Sequence, residues 1–186
     1  GEQRFTVERP SAAIYADASY DLTDALTISV GLRYTKDKIN YLNGRTVLVD
    51  LGGTPRASTI PYSFPLNLTQ APLEQREKES RLTGRANVSY DFNDDIMGYL
   101  NYSRGYRSGS YNGLAYQGTD QVYYVEPEQI NAYEGGLKTR LFDRRVQLNL
   151  AGFYYDYSNH QVTQVIGATT FVRSANGRLY GGEAEL

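Results

Sequence analysis

From Leu26 to Tyr34 the chain alternates without a fault: Leu26, Ile28, Val30, Leu32 and Tyr34 point one way, and Thr27, Ser29, Gly31 and Arg33 the other. Leu82 to Phe92 repeats the pattern, with Leu82, Gly84, Ala86, Val88, Tyr90 and Phe92 set against Arg81, Thr83, Arg85, Asn87, Ser89 and Asp91. A period of two marks a β-strand with one apolar and one wet face. With apolar residues at 40% of the chain, the first match arises by chance on the order of once in a thousand windows. The wet face carries arginines and an aspartate in mid-strand, where a soluble sandwich places shorter neutral groups. That pattern fits a transmembrane barrel strand, with lipid outside and an aqueous lumen inside.

Seven strands are expected on this basis: Ser11–Leu22, Leu26–Lys38, Glu79–Phe92, Ile96–Arg104, Glu128–Arg140, Val146–Asp156 and Phe171–Leu186. Small residues blur the register of the last, and helical spacing finds no sustained support. The connections Asp21–Ala25, Asn93–Asp95 and Phe142–Arg145 are short, the first two rich in Asp and Asn, which favour tight turns. Ile39–Lys78, Gly105–Pro127 and Tyr157–Thr170 are long, and are expected to be loops. Short and long alternate strictly, which gives an antiparallel meander with one tidy and one elaborate end. Outer-membrane barrels have this asymmetry, with short periplasmic turns and longer extracellular loops. The fold class is therefore all-β, part of a large transmembrane barrel, and a forty-residue loop would be out of place in a compact soluble domain.

Eighteen tyrosines stand beside no tryptophan, and tyrosine suits a membrane–water boundary. With the short turns at the periplasmic side, outward Tyr20, Tyr90 and Phe92 fall at that end and outward Tyr34, Tyr102, Tyr133 and Tyr154 at the other. Two girdles then flank an aliphatic band of Ile28, Val30, Ala86, Val88, Leu148 and Leu150. Other functions find little support. The net charge of −2, with scattered Lys and Arg, gives no case for nucleic acid. The absence of cysteine excludes disulfides and thiolate metal sites, and a single histidine, His160, excludes a histidine-rich one. No transmembrane helix or signal peptide is read, and the mean hydropathy of −0.53 is compatible with a barrel whose lumen face and loops dilute its lipid face. Asp156, Ser158, His160 and Gln161 read as an ordinary surface loop rather than a catalytic arrangement. No catalysis, metal or cofactor is expected.

Several phrases resemble the barrel of TonB-dependent outer-membrane receptors: LTISVGLRYTKDK (Leu26–Lys38), YLNYSRGYRSGSYNG (Tyr99–Gly113), the stretch Val125–Val162, and GGEAEL (Gly181–Leu186). The family pattern of a proline–glutamate pair, Tyr-Glu-x-Gly-x-Lys, a short turn and a Phe-Tyr-Tyr strand is present as Pro127, Glu128, Tyr133, Glu134, Gly136, Lys138, Phe153, Tyr154 and Tyr155. The resemblance implies energy-coupled import across the Gram-negative outer membrane of a scarce, bulky solute such as a ferric siderophore. It also implies partners: lipid, the plug and remaining strands of the same receptor, the TonB–ExbB–ExbD energy-transducing complex acting through the plug, and a small chelate or glycan ligand. Against the family's barrel of about 22 strands, no plug, TonB-interacting segment or closing aromatic-terminated strand is read here. The chain is thus expected to be a partial barrel, two open edges of which would be costly in hydrocarbon. Alternation and loop asymmetry alone would also suit a passive porin, and aromatic loops a soluble β-sandwich that binds carbohydrate; a plug upstream and a need for detergent respectively separate these readings.

Ligand contacts are expected from the outer loop carrying Tyr106, Arg107, Tyr111, Asn112, Tyr116, Tyr123 and Tyr124, whose aromatic, amide and guanidinium groups suit a chelate or a sugar ring. Gly105, Gly109 and Gly113 are expected to mark a mobile loop. Arg33, Arg81, Arg85, Glu134, Lys138, Glu183 and Glu185 are expected to line the lumen. Glu134 and Lys138 share one strand face and are expected to pair with charges on neighbouring strands.

Overall fold

The alternation is realised as one antiparallel ladder. The computed structural model describes residues 2–49, 55–60, 73–112, 122–166 and 169–186. Its strands are β1 (Glu2–Glu8), β2 (Ser11–Asp21), β3 (Leu26–Val49), β4 (Pro55–Ile60), β5 (Leu73–Asn93), β6 (Ile96–Arg107), β7 (Ser110–Tyr111), β8 (Tyr124–Val125), β9 (Glu128–Leu141), β10 (Val146–Ile166) and β11 (Thr169–Glu185). The main sheet runs β1-β3-β5-β6-β9-β10-β11, with β2 and β4 also on β3, and β7 pairs with β8 in a small separate sheet. β1 and β2 lie end to end along one side of β3, against Asn40–Val47 and Thr27–Asp37 respectively. The wall is therefore seven strands wide, and it forms part of a large barrel.

The registers put the apolar positions into continuous rows. Tyr20, Ile28, Val88, Leu100 and Gly135 stand opposite one another in sequence along one row, and Tyr90, Gly98, Leu137 and Leu150 along the next. A third row carries Tyr102, Tyr133, Tyr154 and Tyr180 on four adjacent strands. The ring centroids of its first two pairs lie 5.1 and 6.4 Å apart. At the short-turn end Tyr90 and Phe92 meet edge to face at 5.0 Å. This face is bare: Leu100 is 67% and Leu82 57% exposed. Among the described residues no second layer covers it. A patch of that extent on a water-soluble sandwich would be an aggregation hazard, whereas lipid covers it at no such cost.

Close approach explains glycine at two wet-face positions. A Cβ on Gly136 would lie 2.6 Å from the Leu150 carbonyl oxygen and 2.7 Å from the Tyr99 ring. One on Gly31 would lie 2.4 Å from Asp17 Oδ2, because the Arg85–Asp17 ion pair crosses directly above it.

Three of the strands far outrun their expected limits at the end away from the short turns. β3 is 24 residues long and β5 and β10 are 21 each, where about 9–11 suffice to cross a bilayer. Ile39–Lys78 is thus not a single loop: the β3–β5 ladder continues to Gly44 opposite Leu73. Tyr157–Thr170 is likewise largely strand, with Ile166 paired to Thr169. Beyond the membrane both faces are wet, so hydropathy stops alternating while backbone pairing continues. β1 escaped notice for the same reason. Gly105–Pro127 also differs from expectation: β6 runs on to Arg107, and residues 108–112 and 122–125 pack back onto the wall.

Candidate ligand-facing site at the outer end of the wall

β6 parts from β5 after Gly84 opposite Arg104, while its pairing with β9 continues to Arg107 opposite Glu128. The chain beyond turns inward over the polar face. Ser110 and Tyr111 pair with Val125 and Tyr124 to make a two-rung hairpin, a lid across the outer ends of β3 and β5. Under it, parity along β3 buries Thr35, Asp37, Ile39 and Tyr41. Ile39 and Tyr41 are fully buried against Tyr111 and Val122, with Val7, Leu73 and Tyr124 around them. This cluster is the apolar core of the described structure, and it sits at the mouth rather than in the middle of the sheet.

One carboxylate tethers the lid. Glu79 Oε1 accepts hydrogen bonds from Ser108 Oγ (2.8 Å) and the Gly109 amide (3.1 Å), and Oε2 accepts one from the Tyr124 hydroxyl (3.0 Å). Glycine is required at 109, where a Cβ would fall 2.1 Å from the Tyr124 hydroxyl oxygen. Burial first, then the bond to Glu79 and the charges of Glu79 and Glu77, push the Tyr124 hydroxyl well above the ordinary tyrosine range. Burial and the Glu77 charge raise Tyr111 in the same direction. Beside them Tyr106 donates to Asp37 at 2.5 Å, and the Asn112 amide donates to the Tyr123 carbonyl at 3.0 Å.

A second carboxylate holds the other flank. β10 carries an extra residue between Tyr157 and His160, with Asn159 at a φ of 55°. Such a bulge re-aims the side chains beyond it. Here it brings His160, opposite Ala175, onto the face of Glu128, with the Gln161 backbone N–H beside it. The Glu128 carboxylate meets His160 Nδ1 at 2.8 Å, the Gln161 amide at 3.1 Å and Arg107 at 3.8 Å. Gln161 Nε2 in turn donates to the Ser108 and Glu126 carbonyls at 3.3 and 3.0 Å. Glu128 lies outside the tyrosine belt, five positions beyond Tyr133. Burial there works to raise its pKa, but the bonds from His160 and Gln161 and the charges of His160 and Arg107 outweigh it and hold the carboxyl below its usual value.

The loop residues expected to meet ligand thus occupy different settings. Tyr111 and Asn112 are buried within the lid, and the Tyr106 and Tyr124 hydroxyls are engaged by carboxylates of the wall. Tyr123 donates to the Val172 carbonyl at 2.8 Å. Arg107 keeps a side chain 68% exposed. Tyr116 lies outside the described residues. The lid is anchored rather than loose along its described parts, which corrects the expectation of a mobile loop from Gly105 onward. Asp156, Ser158, His160 and Gln161 belong to β10, not to a surface loop.

Arg33, Arg81, Arg85, Glu134, Lys138, Glu183 and Glu185 all fall on the polar face by register. Arg85 binds Asp17 Oδ2 through Nη2 at 2.8 Å and Nε at 3.1 Å. Glu134 accepts the Tyr99 hydroxyl at 2.8 Å, and Lys138 Nζ lies 5.7 Å from the same ring's centroid. These two therefore meet an aromatic ring in place of the expected neighbouring charges: the Tyr99 ring packs against Gly136, between them. Glu79 and Asp37 were not singled out from sequence. Their only signal was wet-face position, shared with residues that touch nothing.

A family model described as TonB dependent receptor-like, beta-barrel, matches residues 2–186. The pesticin receptor of Yersinia enterocolitica (serotype O:8, biotype 1B) is 25% identical over 174 residues, covering 93% of this chain and 23% of the relative. The chain therefore spans about a quarter of that relative's length. Among solved structures, the ferric yersiniabactin uptake receptor FyuA of Yersinia pestis superposes with a TM-score of 0.68 at 21% identity, over 97% of this chain and 24% of that one. The ferric-catecholate import receptor Fiu of E. coli K12 gives 0.61 at 22% identity, over 97% and 25%.

Proposed function

The chain belongs to the TonB-dependent receptor family, as part of its outer-membrane β-barrel domain, and from that premise we propose that the whole protein imports a ferric siderophore or a similar scarce chelate. The observation that carries this reading is the company the chain keeps: matched by the family along almost its whole length, it shares its fold with receptors named for ferric uptake. The lid favours the same reading over a passive porin, because a hairpin pinned across the polar face narrows a lumen that a porin keeps open.

In this reading residues 1–186 contribute seven strands to a wall completed by the rest of the receptor, since unpaired strand edges in hydrocarbon cost several kcal/mol per backbone group. The described parts of residues 39–78, 105–127 and 157–170 beyond the belt lie on the extracellular side. The apolar rows face lipid, and Arg85, Glu134, Lys138, Glu183 and Glu185 face a lumen filled by a plug. The TonB–ExbB–ExbD complex acts on that plug. Ligand contacts at the mouth come from Arg107, Tyr106 and Tyr123, expected loop residues that keep exposed surface. The test is uptake of radioactive iron from a panel of ferric chelates in a strain deleted for the full-length gene, with and without complementation. Growth-supporting uptake should require both the gene and a functional TonB. Uptake that is unaffected by either deletion for every chelate refutes the proposal.

A further inference from the structure

The outward face changes character where β3 and β5 leave the membrane. The β3–β5 register runs unbroken from Leu26 to Tyr41, so Lys36 and Lys38 keep the outward parity of Leu26–Tyr34, and Lys78 keeps that of Leu82–Phe92. In that register Lys38 and Lys78 stand directly opposite each other. All three lysines are exposed. Like charges directly opposite on one face, with Cβ atoms about 5 Å apart, destabilise a sheet. Lys36 Nζ lies 5.9 Å from the Tyr34 ring centroid, so the cluster starts at the outer tyrosine belt itself. At about 3.4 Å per residue and a tilt of about 40°, Lys36 and Lys38 stand roughly 5 and 10 Å above Tyr34. A headgroup layer is about 5–8 Å deep, within reach of a lysine stem.

The charges on this face do not cancel. Glu8, the outward acid opposite Asn40, makes no ion pair among the described residues, and the exposed Arg9 follows it between β1 and β2. Glu74 is taken by Arg76 at 3.1 Å. Asp37, Glu77 and Glu79 turn to the polar inner face, which they share with Arg33 and Arg81. Farther round the wall the outward cations have partners: Arg104 donates to Gln129 at 2.8 Å, and Arg178 lies 3.6 Å from Asp156. Lys38 and Lys78 have no side-chain partner among the described residues. With Lys36 they line an open recess of about 540 Å³, to which Pro10, Ala12 and Ser80 add no charge. At the short-turn end no outward position of the described strands carries Lys or Arg.

We propose that Lys36, Lys38 and Lys78 hold a phosphate of lipopolysaccharide, the phosphorylated glycolipid of the outer leaflet. The lysines sit at headgroup height on the lipid side of the wall, whereas a dissolved anion or an incoming solute meets the other side. Directly below them Ile14, Leu32 and Leu82 are 73%, 54% and 57% exposed, an apolar surface for the same lipid's acyl chains. A shared phosphate turns the opposed lysine pair from a cost into a contribution. The site is independent of the solute imported.

The test uses the full-length receptor in detergent, titrated with bisphosphorylated lipid A and read by native mass spectrometry. A lysine near a charged membrane surface contributes about fivefold, so Lys36→Gln should weaken binding about fivefold and Lys38→Gln/Lys78→Gln about 25-fold. Rising salt should weaken the native complex more than the doubly substituted one. Lipid A stripped of its phosphates should bind both receptors alike, and Arg144→Gln, in a short turn at the opposite end, should change nothing. In detergent without lipid A the doubly substituted receptor should unfold at the native midpoint or above it, since the opposed pair is gone; a lower midpoint would mean that the lysines serve the fold, against the site. Equal affinity of native and doubly substituted receptor for bisphosphorylated lipid A overturns the site. So does phosphatidylglycerol binding of the same strength and lysine dependence, which would make the patch a general anion surface.

Discussion

Removing the Glu79 carboxylate should release the lid. Glu79→Ala deletes the acceptor of three hydrogen bonds, from Ser108, the Gly109 amide and Tyr124. Bonds to a charged group contribute about 1.5–3 kcal/mol each, but they do not add. Ser108 and Tyr124 are only half-buried, so water can replace part of what they lose, whereas Gly109 is buried and its amide would be stranded. A stranded donor alone costs about 1–3 kcal/mol. A net loss of about 3 kcal/mol for the closed lid is then reasonable, which raises the open population roughly 150-fold. Glu79→Gln keeps the shape: its oxygen can accept from Ser108 and Gly109 while its amide donates to the Tyr124 oxygen. Only the charge is lost, for about 1 kcal/mol, or roughly fivefold. Hydrogen exchange of peptides covering 105–112 and 122–127, in the full-length receptor, reads both effects. If exchange in Glu79→Ala stays within about twofold of the native protein while Tyr111→Ala accelerates it, packing rather than the carboxylate closes the lid, and the reasoning fails.

Further expectations concern the wall and the second anchor. Val88→Arg, in the row between Ile28 and Leu100, should cost about 2–4 kcal/mol in lipid-reconstituted receptor. Arg85→Gln should cost about 1 kcal/mol or less, because its pair with Asp17 is exposed on both sides (67% and 47%); similar denaturant midpoints for the two variants would contradict the face assignment. Glu128 titrates below the ordinary glutamate value of 4.5 in the folded protein, so its contribution is present above that value and disappears as pH falls through the lower folded one. Spin labels at Ser110 and Gln164 should therefore give a narrow distance distribution at neutral pH that broadens under strongly acid conditions. In Glu128→Gln the distribution should be broad at neutral pH as well, and a narrow one there would discount this anchor.

The membrane-crossing part of the fold was legible because one physical rule governs it. Between the two aromatic belts, lipid on one side and water on the other force a period of two, so Leu26–Tyr34 and Leu82–Phe92 announced their faces. The tight turns at Asn93–Asp95 and Phe142–Arg145 fixed which strands are neighbours. Tyr180 completes the outer tyrosine row but lay hidden, since Gly177, Gly181 and Gly182 dilute the contrast around it. Beyond the belts the rule lapses. Val7, Ile39 and Tyr41 point to the wet side, and only a lid from elsewhere in the chain makes that side apolar.

That exchange of roles also explains why the site was half-read. Tyr111 and Tyr124 were singled out as loop aromatics with the right chemistry for a ligand, yet the structure gives both to the lid. The same parity that leaves Arg85 and Asp17 exposed inside the wall places Asp37 and Glu79 beneath residues 29 or more positions away in sequence. Periodicity tells which face a carboxylate is on; it carries no information about the segment that will cover that face.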